Sequence, residues 1–389
     1  MRAENQLRTF LVLLENYPAE TPLYKFLPGY FRLNKKMGST DRRIATRLIY
    51  NYFRLGKALA NHAAEERLLA AEFLCNHQEN SFLSFFKPDL AAQIALPIAD
   101  KILILQKQYP DFRLEDVFPF AKHLAAGIDP MLFLSSFFLQ PDLFIRIQKG
   151  HEFVVKQTLA DAGIVFKSKS EHCLALPNGT KLDQLFPQQR YFEVQDESSQ
   201  MTATYFQPQK WESWWDACAA SGGKSLLLYG QEPDLKLVVS DIRESVLDNL
   251  DERFQLAGIR KYQKKLIDLS QNFDSVLHDY VFDGIILDAP CTGSGTWGRT
   301  PEMINQFQEP RILFFQQLQK TIAQNVVKYL KPGKPLIYIT CSAFREENEE
   351  VVNYLVKEAG LILESSELLK GYERKSDTMF VARMIKAEA

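Results

Sequence analysis

With 389 residues, of which 46% are hydrophobic and 24% charged, the chain has an ordinary globular composition sufficient for two or three domains, and no apolar run approaches the roughly 18 residues that would span a bilayer. The net charge of −2 excludes a chain that is basic throughout, so any nucleic-acid contact must rest on a local patch. Five scattered cysteines, odd in number, exclude the disulfide framework of a small secreted domain and predict reduced thiols in the cytoplasm: Cys75, Cys173, Cys218, Cys291 and Cys341.

The first region of the chain, residues 1–127, is predicted to be all helical. Its apolar residues recur at helical spacing, as in Leu7, Phe10 and Leu14. The clearest helix is predicted in GSTDRRIATRLIYNYFRLGK, where residues 39–41 are good N-cap types and Gly56 ends the helix.

This helix presents a basic edge beside its apolar stripe. At about 100° per residue, Arg43, Arg47 and Arg54 fall within roughly 40° of one another. Further basic residues make this the densest basic stretch of the chain: Arg32, Lys35, Lys36, Arg42 and Lys57. The pattern suits RNA phosphate contacts, and a solvated helix face with internal ion pairs is the alternative.

Two further regions follow in chain order. Residues 128–190 are predicted to form a small α+β module, with strands LFIRIQ, IVFKS and HCLALP and a helix closed by Gly163. Residues 191–389 alternate apolar strands with helices, which is typical of a doubly wound α/β domain with a parallel sheet. Its predicted strands are ESWWD, LKLVVSD, KKLID, FDGIILD and PLIYIT.

Ligand-binding residues of such a sheet lie just beyond the carboxyl ends of the strands. The loop DACAASGGK follows the first strand, and its glycines allow a tight turn near a ligand. Each of the first four predicted strands of this domain ends in an aspartate: Asp216, Asp241, Asp268 and Asp288. Helix capping explains any one of them, whereas the series favours a ligand with ribose hydroxyls and a positive charge, features that S-adenosyl-L-methionine combines.

Two thiols follow the last two predicted strands. Cys291 lies in DAPCTGSGT and Cys341 in YITCS, so both should face one cavity. An isolated cysteine is usually a buried structural residue, and paired thiols can also bind metal. The chain has no Cys-x-x-Cys or histidine-rich spacing, so we expect no metal site. The pair favours a thiolate nucleophile.

These motifs resemble those of the Sun/NSUN-type RNA (cytosine-5) methyltransferases, and in particular the RsmB-like bacterial 16S rRNA enzymes. DACAASGGK, DAPCTGSGT and KPGKPLIYITCS are similar to the family's DACAAPGGK, DAPCSGxGT and KPGGxLVYSTCS, and YFEVQDESSQ and SDTMFVARM are similar to flanking segments. The basic helix is similar to the NusB-like domain of RsmB-type enzymes. The resemblance implies a Rossmann-like methyltransferase domain after an all-helical NusB-like domain and a small, RRM-like α+β module.

The resemblance also implies the roles of individual residues. Cys341 would attack position 6 of cytosine so that position 5 accepts a methyl group, Cys291 would promote product release, and Asp288 would hold the protonated ring. Asp241 would bind ribose and Asp268 adenine of S-adenosyl-L-methionine. The remaining implied cofactor-site residues form one loop: Cys218, Ala219, Ala220, Ser221, Gly222, Gly223 and Lys224. We expect a monomer that binds RNA and no membrane.

Three segments depart from the family pattern. Ser221 replaces a proline, Trp297-Gly298-Arg299 replaces an arginine-rich stretch, and RIQKG replaces an RVN-type motif. The last two fall where RNA contacts are expected. The alternatives are the same chemistry on tRNA, a non-catalytic ribosome-assembly factor that binds RNA, or an amino-group methyltransferase. Enzymes of the last class usually place an aromatic residue after Asp/Asn-Pro-Pro, where this chain has Cys291.

Overall fold

The computed structural model describes residues 2–187 and 191–388. These residues form two compact units. The first comprises residues 2–124, 128–140 and 296–309, and the second comprises residues 125–127, 141–295 and 310–388 within the described ranges. The predicted domain limits at residues 1, 190 and 389 lie outside the described residues, and the three-part division stays a prediction.

Helices make up the first unit. In chain order its first eight helices are α1 (Ala3–Glu15), α2 (Leu23–Leu33), α3 (Ser39–Arg54), α4 (Ala64–Cys75), α5 (Ser81–Phe86), α6 (Pro88–Ala91), α7 (Ile98–Gln108) and α8 (Pro130–Ser136). Within the described part of the chain, no helix is both long and apolar enough to cross a membrane.

The apolar stripe that the sequence predicts beside the basic edge of helix α3 is buried except at the partly exposed Ile44, and it consists of Ile44, Leu48, Tyr52 and Leu55. Leu48 and Leu55 are fully buried and Tyr52 nearly so. The predicted cap was wrong, because the N-cap is Gly38 and residues 39–41 form the first helical turn. Asp41 in that turn is nevertheless favourable, since the amino end of a helix carries partial positive charge.

The second unit begins with a four-stranded antiparallel sheet of order β2-β3-β1-β4. Its elements are β1 (Leu143–Ile147), α9 (Glu152–Asp161), β2 (Lys167–Ser168), β3 (Cys173–Leu176), α10 (Leu182–Leu185) and β4 (Phe192–Val194). Ile145, Leu174 and Phe192 pack with Val155 and Leu159 of α9 in one core. The predicted strand IVFKS is reduced to β2, its last two residues.

A seven-stranded sheet forms the rest of the second unit, in the order β10-β11-β9-β8-β5-β6-β7. The elements are α11 (Glu197–Met201), β5 (Ser213–Asp216), α12 (Gly223–Gln231), β6 (Lys236–Asp241), α13 (Glu244–Leu256), β7 (Tyr262–Leu266), α14 (Asp274–Leu277), β8 (Gly284–Asp288), α15 (Glu302–Gln306), α16 (Pro310–Val327), β9 (Pro335–Thr340), α17 (Glu349–Glu358), β10 (Leu361–Leu369) and β11 (Met379–Lys386). Strands β5 to β9 run parallel, and β10 and β11 are antiparallel additions.

Helices cover both faces of this sheet, which explains why its central strands are continuously apolar. Leucines of α12 and α13 pack on one face, and α14, α16 and α17 pack on the other. The predicted doubly wound α/β domain is confirmed, with a mostly parallel rather than wholly parallel sheet. Helix α15 belongs to the first unit, although its sequence lies between two strands of the second.

The chain order of the strands reverses beside β5, which pairs with β6 on one side and β8 on the other. Doubly wound sheets bind ligands at such a switch point. Three strands end at the predicted aspartates Asp216, Asp241 and Asp288. The fourth prediction was wrong, because β7 ends at Leu266 and Asp268 lies in the following loop.

Candidate active site

A cavity of about 530 Å³ opens beyond the carboxyl ends of the parallel strands. This volume lies within the range of about 300–1,000 Å³ usual for small-molecule sites. The cavity brings together seven of the residues predicted from the sequence: Cys218, Ala220, Asp241, Asp268, Asp288, Cys291 and Cys341. Its wall does not include five other predicted residues: Ala219, Ser221, Gly222, Gly223 and Lys224.

The loop between β5 and α12 is held in an unusual conformation. Ala220 has φ +45° and Gly222 has φ +83°, a region that favours glycine. A Cβ on Gly222 would come within 2.6 Å of the Phe254 ring, so glycine is required there for packing as well. The Ala220 N–H donates to Asp241 Oδ2 at 3.0 Å, which ties the loop to the end of β6.

Asp241 is 5% exposed and already has a full set of donors. Besides Ala220, the backbone N–H of Arg243 donates to Oδ1 at 2.9 Å, and the Arg243 guanidinium donates to both carboxylate oxygens at 3.0 and 3.2 Å. The Arg243 side chain is 60% exposed. A ligand hydroxyl could therefore take the place of this guanidinium without disturbing the buried backbone contacts.

Asp268 caps a local turn. Its Oδ1 accepts hydrogen bonds from the Ser270 N–H at 2.9 Å and the Ser270 hydroxyl at 2.6 Å. A carboxylate that bonds to the chain two residues later is typical of an Asx turn. The capping alternative therefore accounts for these contacts of Asp268, while the residue still lines the cavity.

An ion pair joins helix α12 to the carboxyl end of β8. Lys224 Nζ donates to Asp288 Oδ2 at 2.9 Å and to the Ser199 hydroxyl at 2.9 Å. The lysine side chain is nearly buried and the Asp288 side chain is 30% exposed. Lys224 thus orients a carboxylate that faces the cavity, a contact that the sequence alone did not indicate.

The two predicted thiols meet. Strands β8 and β9 are parallel neighbours, so the loops after them emerge side by side, and the Cys291 and Cys341 sulfur atoms lie 3.3 Å apart. The hydrogen bond with Cys341, together with burial, raises the pKa of Cys291 well above its ordinary value. Cys291 is therefore a thiol at neutral pH and can donate to the Cys341 sulfur.

Gly295 secures this arrangement through the backbone. Its N–H donates to the Cys341 carbonyl at 3.0 Å, and its own carbonyl accepts from the Thr378 N–H at 2.9 Å. A Cβ at Gly295 would lie 1.9 Å from the Thr378 carbonyl oxygen. The second glycine of CTGSGT therefore permits a close backbone approach that any side chain would block.

Two acids near the site are buried: Asp216, which the sequence predicted at a strand end, and Glu347, which it did not predict. Asp216 is 0% exposed, and burial raises its pKa to about 7, although a hydrogen bond from Ser225 opposes the shift. Glu347 is also fully buried, and burial raises its pKa. Its sequence context, FREENEE, is typical of a solvated acidic segment, so only the tertiary structure reveals it.

The predicted arginine edge is divided by the structure. Arg43 is exposed, and Arg47 is partly exposed and pairs with the buried Glu72 at 3.1 Å. Arg54 is 1% exposed and donates to the carbonyls of Phe137 and Leu139 and to Gln140. The prediction that Arg54 contacts RNA was therefore wrong, because its guanidinium satisfies buried acceptors within the helical unit.

The three segments that depart from the family pattern have local explanations. Ser221 accepts hydrogen bonds from Arg253 at 2.8 Å through both its carbonyl and its hydroxyl. Trp297 is buried at 1% exposure in the helical unit, with ring centroids 5.6 Å from Phe118 and 4.9 Å from Phe307. Arg146 of RIQKG donates to Gln195 at 2.9 Å.

Part of this chain is similar in sequence to known proteins. Residues 203–384 match the family model described as 16S rRNA methyltransferase RsmB/F. A curated Shewanella oneidensis protein named ribosomal RNA small subunit methyltransferase B is 32% identical over 205 residues, which cover 50% of this chain and 47% of that protein. The chain thus spans about half the length of the curated relatives it matches.

Solved structures share the fold. One, titled PH0851, superposes with a TM-score of 0.70 at 19% identity and covers 92% of this chain and 93% of its own. Another, titled NSun6 from Pyrococcus horikoshii with SFG, has a TM-score of 0.60 at 16% identity and covers 70% and 97%. The resemblance to RsmB-like enzymes predicted from the motifs is confirmed by the family match.

Proposed function

We propose, on the premise that residues 203–384 belong to the RsmB/F methyltransferase family, that this chain methylates position 5 of a cytosine in RNA. We further propose that 16S rRNA is the substrate, as the names of the relatives suggest. The observation that carries the chemistry is the pair of thiols, 3.3 Å apart, at one cavity lined by carboxylates. Methyl transfer to a nitrogen or oxygen atom would not need two adjacent thiols.

The residues of the cavity suit S-adenosyl-L-methionine. The wall has one arginine, Arg243, against three aspartates: Asp241, Asp268 and Asp288. The resulting net negative charge favours a cationic ligand. Asp241 can accept ribose hydroxyls in place of the exposed Arg243 guanidinium. When bound, this cofactor supplies the electrophilic methyl group.

The side chains of the site would carry the remaining steps. The Cys341 thiolate adds to ring position 6 of cytosine and forms a carbon–sulfur bond. The displaced electron pair moves toward the ring nitrogen, which is protonated and held by the Asp288 carboxylate. Position 5 thereby becomes nucleophilic and accepts the methyl group. The proton at position 5 then leaves, and the electron pair of the carbon–sulfur bond returns to Cys341.

Cys291 is placed to assist this last step. Its raised pKa keeps it protonated at neutral pH, so it can donate a hydrogen bond to the sulfur atom of Cys341 as the adduct breaks. Stabilising the departing thiolate lowers the barrier to product release.

RNA would be recognised in part by the helical unit, which we propose is NusB-like. Of the three predicted arginines, Arg43 is exposed, Arg47 is partly exposed and Arg54 is buried. Lys35 and Lys36, the neighbours of Arg43, are also exposed. Such a patch would supply contacts to phosphates without reading sequence.

Bisulfite sequencing of total RNA from cells with and without the gene tests this function. We expect one cytosine of 16S rRNA to lose its protection from bisulfite when the gene is deleted. Expression of the wild-type chain should restore that protection. Loss at a tRNA position would redirect the proposal to tRNA. An unchanged methylation pattern, together with no transfer of radiolabelled methyl groups in vitro, would instead indicate a non-catalytic RNA-binding factor.

A further inference from the structure

Behind the two thiols lies a buried polar cluster that the chemistry above does not use. It consists of five side chains that are buried within the second unit: Thr292, Ser294, Ser342, Glu347 and Asn348. Thr292 directly follows Cys291, and Ser342 directly follows Cys341. The cluster therefore contacts both thiol-bearing loops, and none of its five residues lines the cavity.

One carboxylate joins the two loops. Glu347 Oε1 accepts from the Thr292 N–H at 2.9 Å and from Gln319 Nε2 at 3.0 Å. Its Oε2 accepts from the Thr292 hydroxyl at 2.5 Å and from the Ser342 hydroxyl. All four acceptor positions of the carboxylate are thus filled, and three of them are filled by residues adjacent to a thiol.

The same segment fixes the direction of strand β9. The Tyr338 hydroxyl donates to the Glu347 carbonyl at 2.7 Å, the Thr340 hydroxyl donates to Asn348 Oδ1 at 2.5 Å, and Asn348 Nδ2 donates to the Ser342 carbonyl at 2.9 Å. Side chains alternate along a strand, so these bonds hold the even-numbered residues on one face. Cys341 consequently points to the opposite face, toward the cavity.

A buried carboxylate is stable only when its hydrogen-bond acceptors are satisfied. Glu347 is 0% exposed, so water cannot replace a donor that moves away. Separation of the Cys291 and Cys341 loops would take the Thr292 donors, the Ser342 donor or both away from this carboxylate. The cluster therefore resists separation of the two sulfur atoms, which lie 3.3 Å apart.

We propose that Glu347 is a positioning residue that holds the two thiols at their mutual spacing through Thr292 and Ser342. The catalytic meaning of this role rests on the proposed function, because attack by Cys341 and release assisted by Cys291 require both sulfur atoms at one ring. Glu347 itself touches neither the substrate nor the reacting atoms. Its effect should appear in the geometry of the thiols whether or not RNA is methylated.

Glu347→Gln tests this role, because glutamine keeps the shape but cannot accept four hydrogen bonds. Diamide oxidises two neighbouring thiols to a disulfide and takes up the two electrons and two protons that they lose. We expect Glu347→Gln to slow formation of the Cys291–Cys341 disulfide about tenfold or more, the effect of losing one hydrogen bond to a charged group. Peptide mass spectrometry would measure the rate, with iodoacetamide alkylation of Cys341 as the measure of single-thiol reactivity.

Glu350→Gln is the matched control, since Glu350 lies on the same acidic segment but is exposed. It should oxidise at the wild-type rate. For methylation, Glu347→Gln should lower kcat and leave the KM for RNA unchanged. A folded Glu347→Gln protein with a wild-type disulfide rate would refute the positioning role.

Two milder variants keep the proposal testable if Glu347→Gln does not fold. Thr292→Val and Ser342→Ala each remove one hydroxyl donor, and each should slow the disulfide reaction less than Glu347→Gln. Rates equal to wild type in both would overturn the proposal. The two proposals can fail separately. If Glu347→Gln slows disulfide formation but the wild-type protein methylates no RNA, the proposed function is refuted and the positioning role stands.

Discussion

At the level of single residues, the two sulfur atoms at the cavity have different surroundings. Cys291 is held as a thiol by its hydrogen bond with Cys341 and by burial, both of which raise its pKa. Cys341 follows directly from β9, which the Glu347 cluster orients. This asymmetry supports the proposed roles, in which Cys341 attacks the ring and Cys291 assists release.

Replacing each thiol should therefore give a different defect. We expect Cys341→Ala to abolish methylation because no adduct forms, and Cys291→Ala to accumulate a covalent RNA–protein complex because release is slowed. Denaturing gels with radiolabelled RNA would detect the complex. Cys173→Ala is the control, since Cys173 is buried in the four-stranded sheet. Normal turnover by Cys291→Ala, or an active Cys341→Ala, would show that the roles are misassigned.

Asp216 gives the stability of the protein a specific pH dependence. Its pKa is about 7 in the folded protein and near the ordinary aspartate value of 3.8 when unfolded, so the folded state holds the proton more tightly. This contribution is present in full below about pH 4 and is lost as the pH rises through about 7. The difference corresponds to about 4 kcal/mol at roughly 1.4 kcal/mol per pH unit.

Asp216→Asn should remove this dependence, because asparagine does not titrate and can still accept the Ser225 hydroxyl. We expect the free energy of unfolding of the variant, relative to wild type, to rise by up to about 4 kcal/mol between pH 4 and pH 8. Urea unfolding followed by the fluorescence of the buried Trp214 and Trp215 would measure it. Parallel stability curves for the two proteins would contradict the assignment.

At the level of elements, the two ends of helix α3 have different surroundings, because its carboxyl end is buried and its amino end is exposed. Arg54 supplies donors to three acceptors in the helical unit, whereas Arg43 is exposed. We expect Arg54→Ala to lower the free energy of unfolding by about 3 kcal/mol, since buried acceptors lose their partners.

Arg43→Ala should leave stability unchanged and reduce the salt dependence of RNA affinity by about 0.7 in log–log slope, the loss of one phosphate contact.

Thermal unfolding and RNA titrations at several salt concentrations would separate the two effects. Arg47 is less suitable for this comparison, because its removal would also deprive the buried Glu72 of a partner. If Arg43→Ala bound RNA with an unchanged salt slope, the basic patch would be a solvated helix face.

The sequence predicted the elements at which local pattern and tertiary environment agree. Strands β8 and β9 are largely apolar because helices cover both faces, and residues after their ends were correctly predicted to meet. Edge strands were harder to predict. Strand β7 is largely exposed, which explains the error over Asp268, and β10, with most of its residues exposed, was not predicted at all.

Residues that depend on distant contacts were beyond the reach of sequence patterns. Arg54 lies within the same helical periodicity as Arg43, and only the carbonyls after α8 determine that it is buried. Glu347 lies in an acidic run, and only the packing of two loops reveals that it has four donors. In both cases the deciding partner is far away in the sequence.

At the level of the whole molecule, the helical unit is discontinuous. Residues 296–309 are separated from the first helices by the four-stranded sheet and most of the parallel sheet, yet they belong to the helical unit. Contacts at such large sequence separation carry a cost in loop-closure entropy, which rises with the logarithm of the loop length. The aromatic cluster of Trp297, Phe118, Phe120 and Phe307 supplies the packing that offsets this cost.

Trp297→Ala should therefore loosen the helical unit selectively. Truncating a fully buried tryptophan typically costs about 3–5 kcal/mol, and we expect amide hydrogen exchange around residues 114–124 to reflect a loss of that size. Exchange in β9 should stay unchanged, because β9 lies in the core of the other unit. Trp211→Ala is the matched control, since Trp211 is 71% exposed and its removal opens no cavity. An equal loss of protection in β9 would mean that the two units unfold as one, and the division of the chain would have no energetic meaning.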